Sequence, residues 1–409
     1  MTQRIITSLR DRHCDEAAFL WTLRIGMLSR PDISLAELEA VDLRIEAHLD
    51  GIRSSGKGAW EAGLMLLDKG GAGHAFLATT LALESKRRDR LVDVLTSVAK
   101  RPPDWSGVVS AFGWASRANL TGVVSDLLKS HVPALRALGL DSCAMHCVDP
   151  GLMLAESLTQ QIDSTLRMRA LRAAGQLGRV ELLPACLDAL NTEEVAQVAA
   201  WAAALLGDRG MSLERLSRRD TAPQMQALLP LLLDIPSSNS FLKSLAAQDH
   251  KSRRLVRSIG LAGNTHYVPW LLKTMTDPAL ARLAGEAFCT ITGLDLDAAG
   301  LVGKAPNGFE VGPNDDPLDD RVEMDEDSGI PWPDVARLSV WWSGEYSRFP
   351  TGTRFFMGQP LDATHFQHVL HHGTQRQRAA AAQHLTLLRP GLALFNIEAP
   401  AWRQRQSLA

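Results

Sequence analysis

Cysteine is scarce in this sequence, and the few cysteines present show no pairing pattern. Five are scattered over 409 residues, an odd number that argues against a disulfide framework. Long apolar runs are also missing, since the longest near-apolar runs (198–206 and 227–233) fall far short of the ~20 residues of a membrane span. The N-terminal stretch lacks the apolar core of a signal peptide. We therefore expect a reduced, cytoplasmic protein.

Neither sign of charge dominates the chain. The formal net charge of −3 predicts neither general nucleic-acid binding nor attraction to a membrane surface. Tyrosine is rare, with two residues against ten Trp and eleven Phe. We expect much of this aromatic content to pack between helices, although an exposed Trp is also a common binding anchor.

A helical pattern returns every 28 to 36 residues through the middle of the chain. Its copies align at Gly139, Gly175, Ala204, Gly260 and Phe288. The steps are 36, 29, 56 and 28 residues, and the step of 56 fits two units with one degenerate copy. A period in this range indicates stacked supersecondary units. The sequence therefore predicts an all-α protein, an α-solenoid of roughly eight to ten helix pairs.

Local signals place individual helices along the chain. Ser34 and Glu37 form a capping box, which predicts a helix start followed by apolar residues at helical spacing. Gly51 is the predicted end of that helix, and another helix is expected to begin near Trp60. Residues 361–388 are predicted to form two further helices.

The composition changes sharply near residue 295. Residues 295–334 contain twelve acids and only two basic residues, with many Gly and Pro, so helices are not expected there. This change divides the chain into four predicted parts. They are an N-terminal helical cap (1–70), a repeat solenoid (71–294), an irregular acidic insertion (295–340) and a C-terminal helical cap (341–409).

Several short strings in this sequence resemble one protein family. They lie at 18–21, 46–52, 169–178, 314–317, 330–333 and 375–381. Together they resemble a bacterial conserved-hypothetical family with HEAT-like repeats of the PBS-lyase type, over residues 15–405. The resemblance implies a HEAT-like solenoid. It also implies a proteobacterial setting with genes linked to type VI secretion, where the role would be immunity protein, adaptor or accessory factor.

The acidic insertion is the strongest candidate binding site. Its candidate partner-binding residues are Asp315, Asp316, Asp319, Asp320, Asp325, Asp327 and Trp332. A dense carboxylate loop beside an aromatic anchor is suited to a basic protein surface, because the charge steers encounter and fixes orientation. The alternatives are a solvated loop, or a plug that folds back over basic helix faces of the same chain.

Metal and cofactor sites are not expected. Residues 325–329 resemble the start of a calcium-binding loop, but the later ligand positions of that loop are not filled. His365, His368 and His372 share a helix face that could bind zinc, yet a polar face is the simpler interpretation. Three ligands within one turn, at Cys143, His146 and Cys147, rarely satisfy tetrahedral zinc.

Basic clusters occur near 86–90, 215–219, 251–254 and 376–378. They suit phosphate contacts, as in HEAT-like DNA glycosylases, but also ordinary solvated helix ends. No nucleophile elbow, phosphate loop, dinucleotide fingerprint or zincin motif is present, so no enzymatic activity is expected.

These observations lead to one functional expectation. The chain is predicted to bind a protein partner, as an immunity protein that neutralises a type VI secretion toxin with a basic surface, possibly a nuclease, by occluding its active site. An effector adaptor is the first alternative and a HEAT-like glycosylase the second. Neither a membrane nor a nucleic acid is the expected partner. A metal or substrate pocket lined by the histidines would contradict this expectation.

Overall fold

A computed structural model describes residues 7–159, 163–249, 252–307, 309, 312 and 324–409 of the chain. Within this part the chain is mostly helical, with almost no strand, so the predicted all-α class is confirmed. None of the helices described there is long and apolar enough to cross a lipid bilayer.

The helices vary from one turn to about six turns in length. The first thirteen are α1 (Thr7–Met27), α2 (Leu35–Arg53), α3 (Lys57–Lys69), α4 (Ala72–Glu84), α5 (Arg88–Val98), α6 (Trp105–Trp114), α7 (Arg117–Leu120), α8 (Val123–Leu128), α9 (Pro133–Met145), α10 (Leu152–Glu156), α11 (Ser164–Gln176), α12 (Leu183–Asp188) and α13 (Glu193–Leu205). The next eleven are α14 (Met211–Leu216), α15 (Pro223–Gln226), α16 (Leu229–Leu232), α17 (Ile235–Gln248), α18 (Arg253–Ala262), α19 (Val268–Thr274), α20 (Ala281–Thr292), α21 (Val335–Glu345), α22 (Ala363–His372), α23 (Gln375–Leu388) and α24 (Ala401–Leu408). Two short strands, β1 (Phe355–Phe356) and β2 (Gln359–Pro360), form an antiparallel hairpin.

The chain forms two compact units. The first unit comprises the chain up to Ser29, Ile33–Ser212 and Pro390–Ala409, and the second comprises Arg30–Asp32 and Leu213–Arg389. The boundaries predicted at 70, 294 and 340 were drawn from changes in the sequence pattern, whereas the two units are defined by contacts between residues. The four-part division therefore stays a prediction.

The start of α2 confirms the capping box, but its end corrects the sequence prediction. The Ser34 amide donates to the Glu37 carboxylate at 2.7 Å, and the Glu37 amide donates to the Ser34 hydroxyl at 3.3 Å. The prediction that the helix ends at Gly51 is wrong, because α2 continues to Arg53. Gly51 instead gives room to a neighbouring helix, since a Cβ there would lie 2.8 Å from the His13 ring of α1.

The C-terminal segment is hydrogen-bonded to several helices of the first unit. The Leu394 amide donates to the Gln176 carbonyl at 2.7 Å, and the Asn396 side chain donates to the Met145 carbonyl at 3.2 Å. The Ala401 amide, at the start of α24, donates to the buried Asp42 carboxylate at 2.7 Å. These contacts fix the last twenty residues by long-range hydrogen bonds, which local sequence patterns do not reveal.

Two glycines of the repeat register lie where neighbouring helices approach closely. A Cβ on Gly175 in α11 would lie 2.9 Å from the Ala202 Cα of α13 in the first unit. A Cβ on Gly260 in α18 would lie 3.0 Å from the Ala287 Cα of α20 in the second unit. These two positions of the register therefore make similar helix–helix contacts, whereas a Cβ on Gly139 would lie 3.1 Å from Leu128 of α8.

We expect Gly260→Ala to destabilise the second unit by about 1–3 kcal/mol, because the new methyl group forces two backbones apart. Chemical denaturation of the full chain measures the change. Gly344→Ala is the matched control, since nothing lies within 4 Å of a Cβ at this helical glycine. That control should be neutral or stabilising by up to about 1 kcal/mol. Equal effects of the two substitutions would contradict the close packing.

Arg354, directly before the hairpin of the second unit, binds the backbone of neighbouring segments. The Arg354 guanidinium donates to the carbonyls of Pro230, Leu233 and Ala262 at 2.5, 3.0 and 2.8 Å. Burial lowers the pKa of Arg354 to about 10. The sequence marks 354–357 only as an apolar cluster, because two-residue strands are too short to show an alternating pattern.

Candidate functional site

The two flanks of the acidic segment pair with each other within the second unit. Val302 and Pro333 form an antiparallel bridge. The Gly303 amide donates to the Trp332 carbonyl at 2.7 Å, and the Asp334 amide donates to the Leu301 carbonyl at 2.9 Å. We call residues 304–331 the acidic loop. No helix occurs in the part of 295–334 that the structure describes, as the composition predicts.

Arg282 of α20 binds the returning end of the acidic loop. Its Nη1 and Nη2 donate to the two carboxylate oxygens of Asp325 at 2.7 and 2.8 Å. Nη1 also donates to the Asp327 carbonyl at 3.1 Å. Burial would raise the pKa of Asp325, but the hydrogen bonds from Arg282 hold this pKa below its ordinary value. This carboxylate is therefore charged and committed to a contact within the chain.

Arg253 of α18 makes the second ion pair with this end of the loop. It donates to both carboxylate oxygens of Asp327, one of them at 2.9 Å, and to Glu326 at 2.9 Å. The Asp327 side chain is buried, whereas Glu326 is exposed. The hydrogen bond to Asp327 raises the pKa of Arg253. Together, Arg253 and Arg282 fasten residues 325–327 to two helices of the second unit.

Trp332 lies at the base of the loop and is half-buried. The Arg282 guanidinium stacks over its ring at 5.0 Å, and the Phe309 ring meets it edge-on at 5.0 Å. A cation–π contact of this kind is attractive and favours one orientation of the indole ring relative to the guanidinium group. Trp332 is thus partly engaged by its own chain.

The seven candidate partner-binding residues fall into two groups. Asp315, Asp316, Asp319 and Asp320 lie outside the described residues. Asp325, Asp327 and Trp332 contact Arg253 and Arg282, which is the geometry expected of a loop that folds onto a basic helix face. Partner binding by any of the seven stays a prediction. Arg282 gave no signal in the sequence, because it stands alone in a repeat helix.

The three histidines of α22 line one cavity of about 540 Å³ in the second unit. His365, His368 and His372 therefore share a face, as their spacing predicts. A carbonyl can only accept, so His365 donates from Nε2 to the Phe356 carbonyl at 2.9 Å. Burial lowers the pKa of His365, which favours this neutral form. Asp295 and Asp297 also line the cavity.

The cavity matters for the expectation that the chain is not an enzyme, because a metal or substrate site formed by these histidines would indicate a reaction. Among the described residues, no group of three or more His, Cys, Asp and Glu side chains is arranged to hold a metal ion. His146, the other histidine weighed as a ligand, is buried and its Nε2 bonds the Phe112 carbonyl at 2.8 Å. That the chain carries no reaction of its own stays a prediction.

Comparisons of this chain with protein-family models, with curated proteins and with solved structures found no match. The resemblance to the HEAT-like family therefore stays an expectation from the sequence strings that carry it.

Proposed function

We propose that this chain is a partner-binding α-solenoid protein and that the acidic loop is its main binding element. The observation that carries the proposal is the closed base of the loop. The Gly303–Trp332 hydrogen bond and the Val302–Pro333 bridge join its two ends, and Arg253 and Arg282 fix its returning end. A charged loop on a fixed base loses less conformational entropy on binding than a free tail.

The solenoid part of the proposal is supported by the repeat register. Gly175 and Gly260 occupy equivalent positions of the sequence repeat, and each meets the next helix pair through a close backbone approach. The same contact within each unit is what stacked helix pairs require, because each repeat packs only on its neighbours.

The specific role that we propose is that of an immunity protein. The partner would be a toxin of type VI secretion with a basic surface, possibly a nuclease, and the acidic loop would occlude its substrate cleft. Support comes from the family resemblance and from the charge of the loop. Asp315, Asp316, Asp319 and Asp320 are the proposed contacts, because Asp325 and Asp327 already bind arginines of the chain.

The two alternatives differ in what the structure offers them. An effector adaptor would use the same loop without blocking toxicity. A glycosylase would need arginines that are available to phosphates, whereas Arg253 and Arg282 are bonded to Asp327 and Asp325, and Arg376 to Glu286. These ion pairs engage Arg253, Arg282 and Arg376 within the chain, so a glycosylase would have to rely on other arginines.

Growth rescue tests the proposed role. The chain is co-expressed with a toxin encoded beside its gene, and we expect wild-type protein to restore growth. A variant with Asp315, Asp316, Asp319 and Asp320 all changed to Asn should fail to restore it while accumulating to the same level. Binding without rescue by the wild-type chain would favour the adaptor, and absence of both binding and rescue would contradict the proposal.

A further inference from the structure

A second cavity of the second unit combines an apolar wall with arginines. Its volume is about 250 Å³, and it is lined by residues of α18, α20 and α23 and by the hairpin. Its accessible apolar lining includes Ala227 and Leu261. Arg257, Arg376 and Glu286 line the same cavity. Pockets for drug-sized ligands usually exceed 300 Å³, so this cavity suits a smaller molecule.

The two arginines differ in how firmly they are held. Arg376 donates from Nη1 to Glu286 at 2.8 Å and from Nη2 to the Glu326 carbonyl at 3.4 Å. Among the described residues, Arg257 has one ion pair, with Glu326 at 3.5 Å, and no hydrogen bond. A guanidinium presents five donors in a planar fork that matches a carboxylate, so most of the donors of Arg257 lack a protein partner.

The electrostatic surroundings of Arg257 favour an anion at this position. Burial lowers the pKa of Arg257, and the neighbouring cations Arg376 and Arg253 lower it further, whereas Glu286 and Glu326 raise it. Asp327 and Glu286 bind those two neighbours directly. An added carboxylate would give Arg257 a close partner, which Glu326 at 3.5 Å does not provide.

Glu326 marks where such a carboxylate would bind. It is exposed and reaches Arg257 only at 3.5 Å, while it bonds Arg253 at 2.9 Å. Arg253 is also bound by Asp327. A ligand can therefore displace Glu326 from Arg257 while Arg253 keeps an ion pair. The side chain of Glu326 is thus a weak internal competitor for the Arg257 guanidinium.

From this geometry we infer that the cavity binds a small amphipathic carboxylate, with the carboxylate on Arg257 and the apolar group against Ala227 and Leu261. The same chemistry is offered by a free medium-chain acid and by the carboxyl terminus of a peptide that ends in Leu. This site is independent of the acidic-loop residues proposed to bind a protein partner.

Calorimetric titration of the full-length chain tests the inference. The probes are octanoate and a short acetylated peptide ending in Leu, each beside its neutral amide. We expect at least one carboxylate to bind at least ten-fold more tightly than its amide, and the tighter probe identifies the source. Equal affinity of each acid and its amide, or no binding of either acid, would overturn the inference.

Two substitutions are expected to change the affinity for the carboxylate in opposite directions. Arg257→Gln should weaken binding of the carboxylate at least ten-fold, whereas Glu326→Gln should strengthen it several-fold because the internal competitor is removed. Arg257→Lys keeps the charge without the fork and should give an intermediate affinity. Arg348→Gln, at an exposed arginine outside the cavity lining, is the control and should change nothing. An unchanged affinity in a folded Arg257→Gln protein would contradict the site.

Discussion

Replacing Arg282 with Ala is expected to destabilise the second unit by about 3–5 kcal/mol. The substitution leaves the Asp325 carboxylate and the Asp327 carbonyl without their donor and removes the cation that stacks on Trp332. The Arg282 side chain is only 10% exposed, so water does not readily replace it. Breaking a largely buried ion pair from one side costs more than the pair itself contributes, because a charge stays behind without compensation.

Two measurements on the full chain check this expectation. Chemical denaturation should show a loss of stability, and hydrogen exchange should show faster exchange in residues 324–334. Arg348→Ala is the matched control, because the Arg348–Glu345 pair is 65% exposed on the arginine side. That control should change stability by less than about 1 kcal/mol. Similar losses for both substitutions would show that Arg282 does not fasten the loop.

Replacing Asp42 with Ala is expected to destabilise the first unit by about 3–5 kcal/mol. Arg24 donates from Nε to Asp42 at 2.5 Å, and both side chains are at most 5% exposed. The same carboxylate accepts the Ala401 amide at 2.7 Å, which fastens the start of α24. Burial raises the pKa of Asp42 although Arg24 lowers it. The charged carboxylate is therefore unfavourable in this buried position unless all of its hydrogen-bond partners are present.

The control for this substitution lies on the same helix. Asp50→Ala removes an exposed carboxylate that pairs with Arg53, and it should cost less than about 1 kcal/mol. A double variant, Arg24→Met with Asp42→Leu, should recover part of the lost stability, because apolar groups can replace the buried ion pair but leave the Ala401 amide without its acceptor. Denaturation measures all three variants. A loss in the double variant as large as in Asp42→Ala would contradict this explanation.

Sequence reasoning was most successful where the controlling interactions are local. The capping box at Ser34, the two helices α22 and α23, and the shared face of the three histidines all depend on residues within a few positions of one another. The irregular character of the acidic segment follows from its composition alone, as far as that segment is described.

Interactions between distant residues were the ones that the sequence did not reveal. Arg282 and Asp325 are 43 positions apart, and Asp42 and Ala401 are 359 apart. Each arginine or acid of such a pair resembles any other charged residue in a helix, so no local pattern distinguishes it. The end of α2 was misplaced for a related reason, because Gly51 is required by contact with His13 and not by a turn.

The central claim is that the acidic loop binds a basic surface on a cognate toxin. The most direct test is the affinity of the purified toxin for the wild-type chain and for the variant with Asn at Asp315, Asp316, Asp319 and Asp320. A control variant removes the same charge from Asp89, Asp93, Asp126 and Glu156, which are exposed acids of the first unit.

At about 0.5–1 kcal/mol for each charge, the loop variant should bind about 30- to 1,000-fold more weakly, and the loss should shrink at high salt. The control variant should bind nearly as tightly as the wild-type chain. Equal affinity of the loop variant and the wild-type chain would contradict the claim.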